Sequence, residues 1–219
     1  SRCIERDHFS KLVSEYSKIR DKTPWATETG QTKVDPEFHV TLVNSSKLLY
    51  RGVAGRVNQA INGSLDTNSI YEKYFSHEFG LTYIDDFLSS EALESLRKFL
   101  LESTIWFAQK KGGYLGAYLK DGLASPLLLQ IASELRSRFP LIIKNHFLNQ
   151  VWAYKYDSRA SDPFSDVTGI RIHADFAAVN INFWITQSEA NLDSDSGGMV
   201  VYNTEAPKDW SFDMYNNNL

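Results

Sequence analysis

Apolar residues recur every three or four positions in the first part of the chain and every two positions in the last part. In residues 4–22, Phe9, Leu12, Val13, Tyr16 and Ile19 repeat among charged neighbours, a spacing that predicts an amphipathic helix. Asp35 followed by Pro36 has the form of an N-cap and first helical position, opening a second helix that runs to about residue 50. Residues 23–33 between them read as a linker. Residues 51–68, rich in Gly and Asn and weakly periodic, carry the boundary between a helical N-terminal annex and a core. The annex is assigned to residues 1–75 and the core to residues 76–219.

Residues 80–88 give a short strand signal through Leu81, Tyr83 and Ile84, then a turn at Asp85 and Asp86. A helix follows, with Ser90 as its cap, Glu91 and Glu94 near the positive end of its dipole, and Leu93, Leu96 and Leu100 on one face. Ser125-Pro126 opens another, through Leu129, Ile131 and Leu135 to Arg138, stopping before Pro140. Four β-type runs then come at residues 151–156, 169–175, 179–186 and 199–202. Helices first and strands later favour an α+β chain, or a barrel or jelly roll backed by helices, over alternating βαβ units. No internal repeat is visible, and the asparagine run at residues 216–218 is too short to interpret.

Composition narrows the function classes. With 42% hydrophobic and 13% aromatic residues among 219, the chain can bury one good core and a small annex but not two full-sized domains, and intrinsic disorder is not expected. A formal charge of -4 with scattered basic residues lacks the footprint of a nucleic-acid binder. The single cysteine, Cys3, excludes an internal disulfide framework and a thiolate zinc cage, in keeping with a reducing cytoplasm. No apolar run has the length of a bilayer span, and the start Ser1-Arg2-Cys3 lacks a secretory signal's apolar stretch, so a cytoplasmic location without membrane contact is expected. That start, without a methionine, suggests a processed chain or a piece of a longer one.

His173 and Asp175 sit two apart at the end of the run 169–175. On a strand, residues at that spacing project to one face, so an imidazole and a carboxylate can converge on one cation. Joined by a second imidazole from elsewhere, they would form the facial triad of non-haem iron(II) oxygenases. The spacing alone also describes a hydrogen-bonded pair at a strand end, and context has to decide. Alternation in residues 179–185 puts Asn180, Asn182 and Trp184 on one face, either the solvated side of an edge strand or the lining of a polar pocket beside a metal. Ser196-Gly197-Gly198 reads as a glycine turn entering the run 199–202.

Taken in order, four elements resemble the prolyl-4-hydroxylase-like branch of the iron(II)/2-oxoglutarate dioxygenases, over about residues 80–202. They are Leu81-Thr82-Tyr83-Ile84-Asp85-Asp86-Phe87-Leu88-Ser89, the aromatic run Trp152-Ala153-Tyr154-Lys155-Tyr156, His173-Ala174-Asp175, and Gly197-Gly198. The resemblance implies a double-stranded β-helix, or jelly roll. It implies an oxidoreductase with iron(II) held by His173 and Asp175, and with 2-oxoglutarate chelating through its 2-oxo group and C1 carboxylate. Its reaction would couple oxidative decarboxylation of 2-oxoglutarate to C–H hydroxylation of a protein or small-molecule substrate. The protein's share would be positioning and exclusion of water, with no catalytic acid or base assigned. By position, Tyr156 is similar to the family's cosubstrate-contacting tyrosine, and Asn182 and Trp184 fall on pocket-facing rungs with Asn180. The plain alternative for Tyr156 is an ordinary amphipathic-strand residue.

The chain departs from that pattern in two places. The family needs a distal histidine, and His8, His39, His77 and His146 all precede the motif while none follows it. It also needs a basic residue on the closing strands, and the lone candidate, Lys208, comes too soon after Tyr202. An eight-stranded double-stranded β-helix does not fit within the residues after Tyr202, so an incomplete core with open sheet edges is expected, edges through which copies would self-associate. A non-catalytic, degenerate module used for binding is the alternative function. A third reading, an interaction protein with a remnant helical repeat array in residues 4–50, lacks self-similarity to support it. Serine-triad elbows and phosphate loops are absent from the sequence.

Overall fold

Helix α1 (Arg6–Lys22) buries Leu12 and Ile19, two turns apart on one face, as its periodicity requires. The computed structural model describes residues 6–23, 34–45, 48–110, 114–156, 172–191, 198–205 and 207–217; expectations for residues 4–5, 24–33, 169–171, 196–197 and 218 lie outside the described residues. The described residues of Ser1–Val53, Phe99–Ser125 and Gln150–Ile170 pack as one unit, and those of Ala54–Lys98, Pro126–Asn149 and Arg171–Leu219 as a second.

In the first unit Asp35 caps as expected, its carboxylate accepting from the Glu37 N–H at 2.9 Å, with Pro36 opening a 3-10 turn that continues into α2 (His39–Ser45). The chain leaves the helical path before residue 50. There the Leu49 and Tyr50 N–H groups both donate to the Thr104 hydroxyl oxygen at 2.9 Å, and the Gly52 N–H donates to Ser103 Oγ at 2.9 Å. Arg51 lies over the Phe99 ring and donates to the carbonyls of Gly122 and Ala124. Gly122 has φ 107°, and a Cβ there would stand 3.0 Å from Ile105, so only glycine fits.

This unit holds an antiparallel sheet in the order β1 (Ala108–Lys110), β2 (Tyr114–Tyr118), β3 (Trp152–Tyr156). The third strand coincides with the run expected at residues 151–156; the other two were not anticipated, because three to five residues give too short a period to stand out. Tyr114 is paired across the ladder with Tyr156, and Tyr154 shares the face of Tyr156 two residues on. The three rings accordingly cluster, Tyr114 stacking on Tyr156 at 4.8 Å and meeting Tyr154 edge-on at 5.2 Å.

In the second unit Asp66 caps α3 (Thr67–Ser76) through the Asn68 and Ser69 N–H groups. The turn at Asp85 and Asp86 forms as expected, with Asp86 at φ 50° and its carbonyl accepting from the Asn62 side chain at 3.0 Å. Residues 80–87 do not form a strand; only Leu88 makes a bridge, to Ile61. Ser89, rather than Ser90, caps α4 (Ser90–Glu102), its hydroxyl accepting from the Ala92 N–H at 3.3 Å. The helix α5 (Pro126–Arg138) has the bounds expected of it and is followed by α6 (Pro140–Ile143). Phe139, 3% exposed, packs on Tyr71 and Phe87, a burial worth about 1.5–3 kcal/mol.

The inner face of α5 anchors irregular backbone. Gln130 accepts from the Val57 N–H at 3.0 Å and donates to the Val57 carbonyl at 2.8 Å, while one turn on the Glu134 carboxylate accepts from the Ala60 and Ile61 N–H groups. The described residues of the β-type runs at 169–175, 179–186 and 199–202 carry no strand ladder, and the six-residue helix α7 (Phe212–Asn217) follows them. No helix among the described residues is long and apolar enough to cross a membrane.

Partial burial pushes the Glu134 carboxyl up, but the hydrogen bonds from Ile61, Ala60 and Gln130 and the charge of Arg138 outweigh it and hold it below its ordinary 4.5. Glu134→Ala strips two backbone donors of their acceptor and is expected to lower the unfolding free energy by about 2–3 kcal/mol at pH 7, measured by urea denaturation. Because the folded-state value is the lower one, this contribution is present above 4.5 and is lost as pH falls through the folded value. The gap between wild type and Glu134→Ala therefore narrows on acidification.

Candidate functional site

The segment that carries the candidate ligands is short and bounded. Residues 172 and 176 are bends, and the Ala177 N–H donates back to the Asp175 carbonyl at 2.8 Å, a three-residue turn that ends the run immediately after Asp175. Between these bends His173 and Asp175 point to the same side. His173 Nε2 stands 3.7 Å from Asp175 Oδ1, with the two side chains 43% and 32% exposed. The far oxygen, Asp175 Oδ2, accepts from the Asn180 side chain at 3.2 Å. The carboxylate is thus held at both ends, one oxygen facing the imidazole and the other tied to a carboxamide.

This donor set is chemically suited to a divalent transition metal, combining an imidazole nitrogen with a carboxylate oxygen on an accessible surface. For donor–metal bonds of about 2.1 Å, adjacent ligands stand roughly 3 Å apart, so a small rotation of either side chain closes the observed separation onto one ion. Among the described residues no third His, Cys, Asp or Glu joins the pair to complete a three-donor group. His8 and His39 belong to α1 and α2. His77 ends α3 and its Nδ1 accepts from the Phe79 N–H at 3.2 Å, while His146 follows α6 in irregular chain. Lys208 lies exposed in a turn.

The other expected site residues divide. Asn180 joins the His173–Asp175 pair directly. Asn182 faces Met199 instead, its amide 3.7 Å from the thioether sulfur, and Trp184 is exposed. Tyr156 belongs to the sheet of the first unit, where burial, and then the neighbouring Tyr114, push its phenol up to about 12. A residue not anticipated is Asn216 in α7, whose side chain takes the Ala174 N–H at 2.9 Å and donates to the Ala174 carbonyl at 3.1 Å. Its only sequence signal was a run of asparagines, which has no period and names no partner.

Alkaline titration of tyrosinate absorbance is expected to show a group with its midpoint near 12, absent in Tyr156→Phe and shifted down in Tyr114→Phe. Since the folded-state value is raised above the ordinary 10, the associated stability is present below pH 10 and declines as pH rises toward 12.

Comparison with family models, with curated proteins and with solved structures gave no match for this chain.

Proposed function

We propose that this chain carries part of an iron(II)- and 2-oxoglutarate-dependent dioxygenase core of the prolyl-4-hydroxylase-like kind, with His173 and Asp175 as two of its metal ligands. The observation that supports the reading is their convergence: an imidazole nitrogen and a carboxylate oxygen two residues apart, 3.7 Å from each other and open to solvent. A core pair serving only packing has no need of that access.

In this reading iron(II), with 2-oxoglutarate as co-reductant and dioxygen as the oxidant, would supply the chemistry that hydroxylates a C–H bond. The chain's own residues bind and orient. His173 and Asp175 present their donors on one side. Asn180 donates to Asp175 Oδ2 and so leaves Oδ1 for the metal, which also fixes the rotation of the carboxylate. Asn182 and Trp184 supply a carboxamide and an aromatic surface for the cosubstrate or substrate, a protein or small molecule.

Cobalt(II) titration, followed by its visible absorption, is expected to show binding by the wild type and a loss of affinity of at least about 100-fold in His173→Ala and in Asp175→Ala. Supplied with iron(II), 2-oxoglutarate and dioxygen, the wild type should release succinate and His173→Ala should not. Equal metal binding by all three proteins removes the pair from any metal site. Metal binding that depends on the pair without succinate release favours the binding-module alternative.

A further inference from the structure

We propose that Asn216 is a positioning residue for the metal site, holding the backbone between His173 and Asp175 in the extended form that aims both donors at one ion. This rests on the reading of those two residues as ligands. The carboxamide of Asn216 engages both polar groups of Ala174, accepting from its N–H at 2.9 Å and donating to its carbonyl at 3.1 Å. A single amide reaches both groups of one residue only when they point to the same side, which is the geometry of extended chain. Extended geometry at Ala174 is also what puts the side chains before and after it on a common face. The clamp and the convergence of His173 with Asp175 therefore have one cause. In a sheet a neighbouring strand would impose it; here a side-chain amide occupies that strand's place.

The clamp is not an isolated touch. Phe212 lies four residues before Asn216, one helical turn, and its ring meets Phe176 edge-on at 5.7 Å. The helix α7 thus engages the motif on both sides of Asp175, at Ala174 through polar groups and at Phe176 through apolar ones. Ser211 starts the helix, its hydroxyl accepting from the Met214 N–H at 3.3 Å. The same two-point device recurs where Gln130 holds Val57, away from His173 and Asp175 in sequence and buried in the unit's core. There it can only be structural. At Ala174 it is flanked by both candidate ligands and Asn216 is only part-buried, so its loss should be felt in the geometry of the ligands more than in global stability.

Asn216→Leu, of the same branched shape and without donor or acceptor, tests this with two readouts that a general packing role would not move together. Amide hydrogen exchange at Ala174 is expected to be protected in the wild type and to speed up at least about tenfold in the variant. Cobalt(II) affinity should fall about tenfold, as for other groups that orient a ligand, while the thermal midpoint stays close to wild type. An Ala174 amide that exchanges in the wild type as fast as in an unfolded peptide overturns the clamp, a result readable even where Asn216→Leu fails to fold. Unchanged cobalt affinity in Asn216→Leu, with His173→Ala abolishing binding, overturns the positioning role and leaves the metal site standing. Wild-type binding no better than that of His173→Ala, with Ala174 protected, removes the metal site and with it the positioning role, leaving a purely structural clamp.

Discussion

Backbone N–H and C=O groups taken out of water need partners, and much of this chain must find them without helix or sheet. Irregular stretches between residues 49 and 63 are instead held by side chains: the Thr104 and Ser103 hydroxyls, the Arg51 guanidinium, the Gln130 amide, the Glu134 carboxylate and the Arg138 guanidinium, which donates to the Asn62 carbonyl at 2.8 Å. No buried side-chain polar atom among the described residues is left without a partner. Each such bond is modest by itself, about 0.5–1.5 kcal/mol net, but a buried donor stripped of its acceptor costs more, about 1–3 kcal/mol. The folded path of these segments therefore depends on a handful of polar side chains, three of them on α5 and the others in irregular chain.

The candidate site is built on the same constraint. The segment around Ala174 has no ladder neighbour among the described residues, yet both polar groups of Ala174 are bound by Asn216 and the Ala177 turn closes its end. Asp175 is restrained at one oxygen by Asn180 and faces His173 with the other. Contacts of this kind, from helix and loop side chains, restrain the pair while leaving it open to solvent. The tyrosine cluster of the first unit follows a different rule. Its rings meet because strand pairing sets their spacing, and partial burial, then the neighbouring Tyr114, raises the phenol of Tyr156.

Helices with a strong apolar period were legible along with their ends. The start at Asp35-Pro36, the bounds of α5 and the aromatic strand at residues 152–156 follow from capping chemistry and alternation within a few residues. Strand signals at residues 80–88, 179–186 and 199–202 had the right side chains but, among the described residues, no ladder beyond the single Leu88–Ile61 bridge. β-propensity describes fitness for a pleated surface and says nothing about whether a partner strand arrives. The cap of α4 shifted from Ser90 to Ser89 because the latter hydroxyl also donates to the Gln59 carbonyl at 2.7 Å, a contact thirty positions away that local rules do not contain.

Sequence by itself determined which residues could act as ligands and that two of them, separated by one alanine, would share a face wherever the backbone is extended. It also determined the amphipathic helices, whose periodicity is written over consecutive positions. Only the tertiary structure decided that Asn180 engages the carboxylate and that Asn216 engages both polar groups of Ala174. Those choices rest on hydrogen bonds between groups 5 and 42 positions apart. A side chain's hydrogen-bonding capacity is fixed by its type, but the group that satisfies it is set by the fold, and that pairing is where this site acquires its geometry.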